Sequence, residues 1–196
     1  MRKAGKIPIP SEAGAMLLVE VDGEDSAAER DVEIVAAACE EAGAVDVLAT
    51  QTLAEARHLW AARRELSELL VKRWKYKLSD DVVVPRSEIS AMIRKSSEIC
   101  QAKKLTSACY GHAGDGNLHV NVLWDDDDPT LGEKALEEMA KAAVDLGGTI
   151  TGEHGVGSAK RHMLHFEQTS AVIGLQKELK KVFDPKGILN PGKIFP

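Results

Sequence analysis

No apolar run in this sequence approaches the roughly 20 residues of a membrane span, and no signal-type apolar segment follows the polar start Met1-Arg2-Lys3. Basic charge is scarce too. The 196 residues carry a net charge of -6 at pH 7 and show no basic face, which argues against a nucleic-acid partner. Cys39, Cys100 and Cys109 are widely spaced and form no C-x-x-C pair. We interpret them as small buried hydrophobic residues in a reduced, cytoplasmic protein.

What is present is typical of a soluble globular protein, with 44% hydrophobic and 29% charged residues. Hydrophobic alternation predicts short strands, over residues 15–22, 45–49, 82–84, 106–110, 118–124 and 149–151. Apolar spacing and caps predict helices between them, from residue 25 or 26 to 43, from about 53 to 74, after Ser87, over 131–146 and from Ser170 to Asp184. The first helix and its flanking strands form a predicted β-α-β unit. Two α/β units around one antiparallel sheet indicate an α+β, ferredoxin-like fold with helices on one face.

The predicted domain organisation has three parts. Residues 1–14 are an irregular lead-in linker, and residues 15–157 form the main domain. Residues 158–196 form a helical C-terminal extension with a tail rich in proline and glycine. The apolar residues of that tail need a surface on which to lie.

Histidine, asparagine and glycine are concentrated in residues 110–123. On a helix, His112 and His119 would be about 10.5 Å apart along the axis, too far to share one metal ion. The glycines disfavour such a helix and favour a turn that leads into a strand. That arrangement puts His119 and Asn121 on one strand face and lets His112 fold back beside His119. The alternate side chains then face the core: Leu118, Val120, Val122 and Trp124.

A second dense stretch, residues 149–157, adds Glu153 and His154. Glu153 follows a predicted strand that could lie beside the strand of His119, and its carboxylate could complete a set with His112 and His119. Two neutral imidazoles and one carboxylate suit Zn²⁺ or a similar divalent ion, with a coordination position open for substrate. His154 would then be free for proton transfer.

These residues alone leave other interpretations open. A glycine-rich hairpin with surface histidines has a similar pattern. A zinc hydrolase would use Glu153 or His154 as its base, and a non-catalytic ferredoxin-like module would bind metal or mediate assembly. The glycines follow G-x-x-G-x-G spacing in residues 111–116 and 152–157, which is neither a dinucleotide-binding fingerprint nor a P-loop. The sequence therefore predicts no self-sufficient nucleotide site.

Three motifs, in this order, resemble the C-terminal part of FAD-linked oxidases of the vanillyl-alcohol-oxidase superfamily. They are residues 110–121, the Gly-Glu-His-Gly-Val-Gly of residues 152–157, and the Asp-Pro-Lys-Gly-Ile-Leu-Asn-Pro-Gly-Lys of residues 184–193. The similarity extends more loosely back to residues 17–22, so it covers nearly the whole chain. Within the superfamily it is nearest to the branch that oxidises glycolate, D-lactate and D-2-hydroxyglutarate.

The resemblance implies an FAD-dependent 2-hydroxy-acid dehydrogenase or oxidase, in which a hydride passes from the substrate α-carbon to flavin N5. It assigns a divalent metal, expected to be zinc, to His112, His119 and Glu153. The metal would hold the substrate hydroxyl and a carboxylate oxygen, lowering the pKa of that hydroxyl. His154 resembles the general base of the family.

Four further roles follow from the same resemblance. Asn121 resembles a residue that orients the substrate or a metal ligand. Arg63 resembles the arginine that clamps the substrate carboxylate, a task suited to its two-pronged donors. Ser79 stands where the family carries a substrate-binding lysine, and Lys77 is the candidate to replace it. Asn190 resembles a tail residue that returns to the flavin.

Members of this family carry an N-terminal FAD-binding domain, which this sequence lacks. The resemblance therefore implies the substrate/cap half of such an enzyme, inactive by itself. Its expected partners are a 2-hydroxy-acid substrate and an FAD-binding domain or subunit against which residues 158–196 pack. A homo-oligomer is a further candidate assembly.

Overall fold

The structure is a computed structural model that describes residues 10–50 and 52–195. The chain divides into two compact units, with the boundary between Leu69 and Leu70. The domain limits anticipated from the sequence, at residues 14/15 and 157/158, stay predictions.

The regular elements among the described residues of the first unit are all helices. Helix α1 spans Asp25–Glu41 and α2 spans Leu53–Arg64, and α3, Leu66–Arg73, begins before the unit boundary. Thr52 caps α2, since its hydroxyl accepts a hydrogen bond from the Glu55 N–H. The single helix predicted over residues 53–74 is instead two helices that meet at Glu65. Arg63 and Arg64 end α2, where positive charge favours a helix C-terminus.

The strands predicted over residues 15–22 and 45–49 are wrong, and so is the β-α-β unit built on them. Both segments are described, and neither is paired with another described strand. Leu17, Val45 and Leu48 are exposed in them. Alternating apolar residues favour an extended backbone, but a strand forms only when a partner takes up its N–H and C=O groups.

The second unit contains the sheet. Its elements are β1 (Tyr76–Val83), α4 (Ile89–Ala102), β2 (Thr106–His112), β3 (Asn117–Trp124) and α5 (Glu133–Asp145). The strand order is β1-β3-β2 with both pairs antiparallel, and Thr149 forms one antiparallel bridge to Val83 on the outer side of β1. The predicted last strand is thus reduced to a single bridge. The α+β class is confirmed, and the β-α-β-β-α-β order matches ferredoxin-like connectivity.

The core lies between one face of this sheet and the helices α4 and α5. Leu118, Val120, Val122 and Trp124 of β3 are buried there, as their alternation predicted. Met92 of α4 and Met139 of α5 pack against them. The opposite face of the sheet, which carries the alternate side chains, is left for polar residues.

The C-terminal region consists of α6 (Leu164–Glu167), α7 (Ser170–Phe183) and the tail. Helix α7 forms as predicted, with the Thr169 hydroxyl as its cap. The Asp184 carboxylate organises the start of the tail motif, because it accepts hydrogen bonds from the Ile188 and Leu189 N–H groups and from Lys180. Among the described helices, none has both the length and the apolar character needed to cross a membrane.

Candidate metal and substrate site

The polar face of the sheet collects the residues of the first motif. Across the sheet, His119 of β3 is paired with Asp81 of β1 and Tyr110 of β2. Asn121 is paired in the same way with Ser79 and with Ala108. Directly paired residues point to the same side of a sheet. The placement of His119 and Asn121 on one face, opposite the core side chains, is therefore confirmed.

The glycine turn between β2 and β3 brings His112 beside His119, with their ring centres 6.2 Å apart. Gly116 makes this turn possible. Its φ of 78° lies in the left-handed region that favours glycine. A Cβ atom there would also lie 2.0 Å from the Val84 carbonyl oxygen.

The second motif reaches the same face from the other side. Glu153 Oε1 lies 3.6 Å from His119 Nε2 and 3.9 Å from His154 Nε2, and the rings of His119 and His154 stack at 5.6 Å. The strand before Glu153 was expected to lie beside that of His119. This expectation is wrong, because Thr149 bridges to β1 instead. The motif therefore reaches His119 across the end of β1.

Asp81 of β1 joins the two motifs, and sequence reasoning missed it. It is completely buried, and its Oδ2 accepts hydrogen bonds from three successive N–H groups, those of Gly152 (2.7 Å), Glu153 (2.6 Å) and His154 (3.1 Å). Its Oδ1 lies 3.2 Å from His154 Nδ1. The available signal was a pair of acidic residues, Asp80-Asp81, running directly into the apolar Val82-Val83-Val84.

Lys160 neutralises part of this buried negative charge. Its ammonium group donates to Asp81 Oδ1 at 2.7 Å, to the Asp81 carbonyl at 3.0 Å and to the Ile150 carbonyl at 2.9 Å, and it also pairs with Asp80. Lys160 itself is buried. A buried lysine is normally paired in this way, because an isolated buried charge is costly.

The two buried carboxylates respond differently. Burial favours a raised pKa for Asp81, but hydrogen bonds from Lys160 and from the N–H groups of Glu153 and His154 outweigh it and hold that pKa well below its usual range. Burial dominates for Asp80 and raises its pKa, although Lys160 partly opposes the shift. Asp81 is therefore the carboxylate that stays ionised beside the second motif.

His119 is suited to a ligand role. Burial lowers its pKa, with partial opposition from the charge of Glu153. Its imidazole is therefore neutral near pH 7, the form that coordinates metal.

The donor set fits a divalent metal ion such as Zn²⁺. Within the described residues, the ligand atoms of His119, Glu153 and His154 all lie within 4.8 Å of one another. A tetrahedral zinc ion with bonds of about 2.0–2.2 Å holds its donors about 3.4 Å apart, close to the 3.6 Å between His119 Nε2 and Glu153 Oε1. His112, the other expected ligand, is exposed and stands next to this group.

The candidate substrate residues have different surroundings. Asn121 is completely buried, and its side-chain amide donates to the carbonyls of Ala108 and His119. Its Oδ1 accepts no hydrogen bond from the residues that the structure describes. Lys77 lies on the same sheet face as Ser79 and Asp81, at the far end of β1. These positions do not test the roles predicted for Asn121 and Lys77, which stay predictions.

The remaining two candidates do not belong to the strands of the sheet. Arg63 belongs to the last turn of α2, in the first unit. Asn190 lies in the exposed tail, with a φ of 46°. Their assignments to the substrate carboxylate and the flavin likewise stay predictions.

Comparison with known proteins identifies the family to which this chain is similar. The model of the family described as "FAD linked oxidases, C-terminal domain" matches residues 1–194. Glycolate oxidase subunit GlcD of Bacillus subtilis is 42% identical over 193 residues, 97% of this chain and 41% of that protein. D-lactate dehydrogenase of Anaerostipes hadrus is 34% identical over 191 residues, which are 94% of this chain and 40% of that protein. D-2-hydroxyglutarate dehydrogenase of Stutzerimonas stutzeri is 32% identical over 205 residues, which are 97% of this chain and 43% of that protein. The chain thus spans about two fifths of the length of these curated relatives.

Proposed function

Because the chain belongs to the family of FAD linked oxidases, as their C-terminal domain, we propose that it is the substrate- and metal-binding half of an FAD-dependent 2-hydroxy-acid dehydrogenase or oxidase. The observation that carries the proposal is the cluster of His119, Glu153 and His154 at the polar sheet face, with His112 beside it. Its relatives, named for glycolate, D-lactate and D-2-hydroxyglutarate, indicate the substrate class.

In this proposal His112, His119 and Glu153 hold the divalent ion. When bound, the ion supplies a Lewis acid for the substrate hydroxyl and one carboxylate oxygen. The exposed His112 side chain lies close enough to join the ligand set by rotation about its side-chain bonds. Glu153 is the ligand whose distance to His119 already matches a shared ion.

His154 acts as the base that removes the hydroxyl proton. Its Nδ1 faces Asp81 at 3.2 Å, which leaves Nε2, on the side of Glu153, to take the proton. The ring is about half exposed, so substrate can reach it. Arg63 clamps the second carboxylate oxygen of the substrate in the assembled enzyme.

FAD, when bound, supplies the hydride acceptor, and we propose that a domain outside these 196 residues holds it, with Asn190 as the contact from this chain. Helix α7 supports a docking role, because all of its residues are described and none is buried. Its exposed apolar side chains include Leu175, Val182 and Phe183, and Ile188 and Leu189 of the tail continue them. Leu175 and Val182 share one helix face by their spacing of seven, and exposed apolar side chains grouped in this way are typical of an interaction surface.

The proposal is tested by calorimetry on the metal-free chain. We expect Zn²⁺ to bind once per chain, and glycolate or D-lactate to bind the zinc-loaded chain but not the metal-free one. Acetate and propionate are the matched controls, because they keep the carboxylate and lack the hydroxyl. The variant His119→Ala is expected to abolish both binding steps.

Other outcomes would overturn parts of the proposal. Zinc binding without any preference for the hydroxy acids favours a non-catalytic metal-binding or assembly module. A stoichiometric flavin absorbance band in the purified chain, with turnover of glycolate or D-lactate, contradicts the assignment of FAD to a separate domain.

A further inference from the structure

The buried carboxylate of Asp81 holds the backbone of the second motif in its conformation. Oδ2 of Asp81 accepts the N–H groups of residues 152, 153 and 154, so three successive peptide units are turned toward one oxygen. Successive N–H groups in such a concave arrangement form an anion-binding nest, which is here filled by a side chain of the protein itself. The Thr151 hydroxyl adds a bond to Oδ1 at 3.3 Å. The backbone that carries Glu153 and His154 is thereby fixed from inside.

The other oxygen of Asp81 faces the ring of His154. Asp81 already accepts hydrogen bonds from Lys160 and from three N–H groups, so it faces His154 as an acceptor, and the ring nitrogen Nδ1, 3.2 Å away, is expected to carry a proton. Nε2 then keeps its lone pair. A carboxylate behind a histidine fixes both the tautomer and the ring orientation.

Lys160 supplies the positive charge next to this carboxylate. Asp80, Asp81 and His154 form a second group of clustered metal-type ligand atoms. The ammonium group of Lys160 already lies among the carboxylates, bonded to Asp81 Oδ1 and paired with Asp80. Lys160 therefore takes the place of a cation in that group, and the metal is assigned to the other side of His154, where His119 and Glu153 lie.

We propose that Asp81 is a positioning residue that presets Glu153 and His154 before any ligand binds, by holding the backbone of residues 152–154 and keeping His154 in its Nδ1–H tautomer. Lys160 acts through Asp81 by balancing its charge. The significance for catalysis rests on the function proposed above. The tautomer and the backbone hydrogen bonds can both be measured on the metal-free chain, so their test does not depend on that function.

The chain offers a matched control in Asp80. It is the sequence neighbour of Asp81, is also buried and also pairs with Lys160. Its Oδ1 accepts a hydrogen bond from the Asp81 N–H, and within the described residues it accepts none from the second motif. Asp80→Asn and Asp81→Asn each replace one buried carboxyl group next to Lys160 by an amide, but only Asp81→Asn changes the acceptor of the motif.

The test uses long-range ¹H–¹⁵N NMR of the histidine rings in the metal-free chain at pH 8, followed by calorimetry with Zn²⁺. We expect the Nδ1–H tautomer for His154 in the native chain and in Asp80→Asn. In Asp81→Asn we expect a mixture of tautomers, faster amide exchange at residues 152–154, and a 10–100-fold weaker zinc affinity. Asp80→Asn is expected to change that affinity less than about threefold, which is within the scatter for a substitution that leaves the ligand shell intact.

An Nε2–H tautomer in the native chain overturns the proposal, even if Asp81→Asn fails to fold. Equal losses in the two variants overturn it too, because they would show a general effect of buried charge. A native chain that keeps the Nδ1–H tautomer but binds no zinc supports the positioning role and contradicts the proposed function.

Discussion

At the scale of single residues, the site depends on groups that are small or buried rather than on the histidines alone. Gly152 begins the turn of the second motif beside Val83 and Asn117. A Cβ atom built on it would lie 2.8 Å from Val83 Cγ2 and 2.9 Å from Asn117 Cγ. Its N–H also bonds to Asp81. There is no room at this position for any side chain.

We therefore expect Gly152→Ala to destabilise the second unit by about 1–3 kcal/mol through overpacking, and to weaken zinc binding because Glu153 shifts with the turn. Gly174→Ala is the matched control. Gly174 lies inside α7 with nothing within 4 Å of its Cβ position, so alanine there should stabilise the chain by about 0.5–1 kcal/mol. Urea unfolding and zinc calorimetry measure both effects. Unchanged zinc affinity in Gly152→Ala would contradict the argument.

At the scale of elements, α4 and β2 each contribute one cysteine to the interface between helix and sheet. Cys100 of α4 is completely buried, and Cys109 of β2 packs against the same core cluster. Burial raises the pKa of the Cys100 thiol to about 11, and burial also raises that of Cys109. The expectation that the cysteines are buried hydrophobic residues is confirmed for Cys100, whereas Cys109 and Cys39 are only partly buried.

A folded-state thiol pKa of about 11, against an ordinary value of 9.0, makes stability fall as the solution becomes alkaline. Between these two values the unfolded chain releases the Cys100 proton while the folded chain retains it, so unfolding is favoured as the pH rises. From pH 8 to pH 10.5 we expect the native chain to lose about 2 kcal/mol more stability than Cys100→Ala does. Urea titrations at the two pH values measure this difference, with Cys39→Ala as the control that should behave like the native chain. Equal losses for the native chain and Cys100→Ala would refute the expectation.

At the scale of the whole molecule, one face of the sheet is covered by its own helices, whereas none of the residues of α7 is buried. Leu175 and Phe183 are 63% and 81% exposed. An apolar face of this kind contributes little to the stability of the isolated chain, because its side chains are not removed from water. We propose that its role is to dock the FAD-binding domain.

Replacing Leu175 and Phe183 together by lysine should change the free energy of unfolding by less than about 0.5 kcal/mol, as expected for exposed positions. It should also reduce the fluorescence of a dye that binds exposed apolar surface. Val122→Lys, which places the same charge in the core, is the contrasting variant and should unfold the second unit. A loss of more than 1 kcal/mol in the double variant would mean that the α7 face is already packed in the free chain.

Several features were determined by the sequence alone, because they depend on local periodicity. The alternation of residues 118–124 identified β3 and its two faces, and the apolar spacing of α5 and α7 identified those helices. Three motifs in order were enough to indicate the family. The same motifs also identified His119, Glu153 and His154 as candidate site residues.

Other features were decided only by tertiary structure. Residues 15–22 and 45–49 alternate as well as β3 does, yet they form no strand with the described residues, since alternation specifies a face and not a partner. Asp81 and Lys160 are 79 positions apart and join only because a bridge brings Thr149 against Val83. No local pattern records such a pairing. Buried polar groups find partners through the fold, and this is how Asp81 came to hold the turn that carries Glu153 and His154.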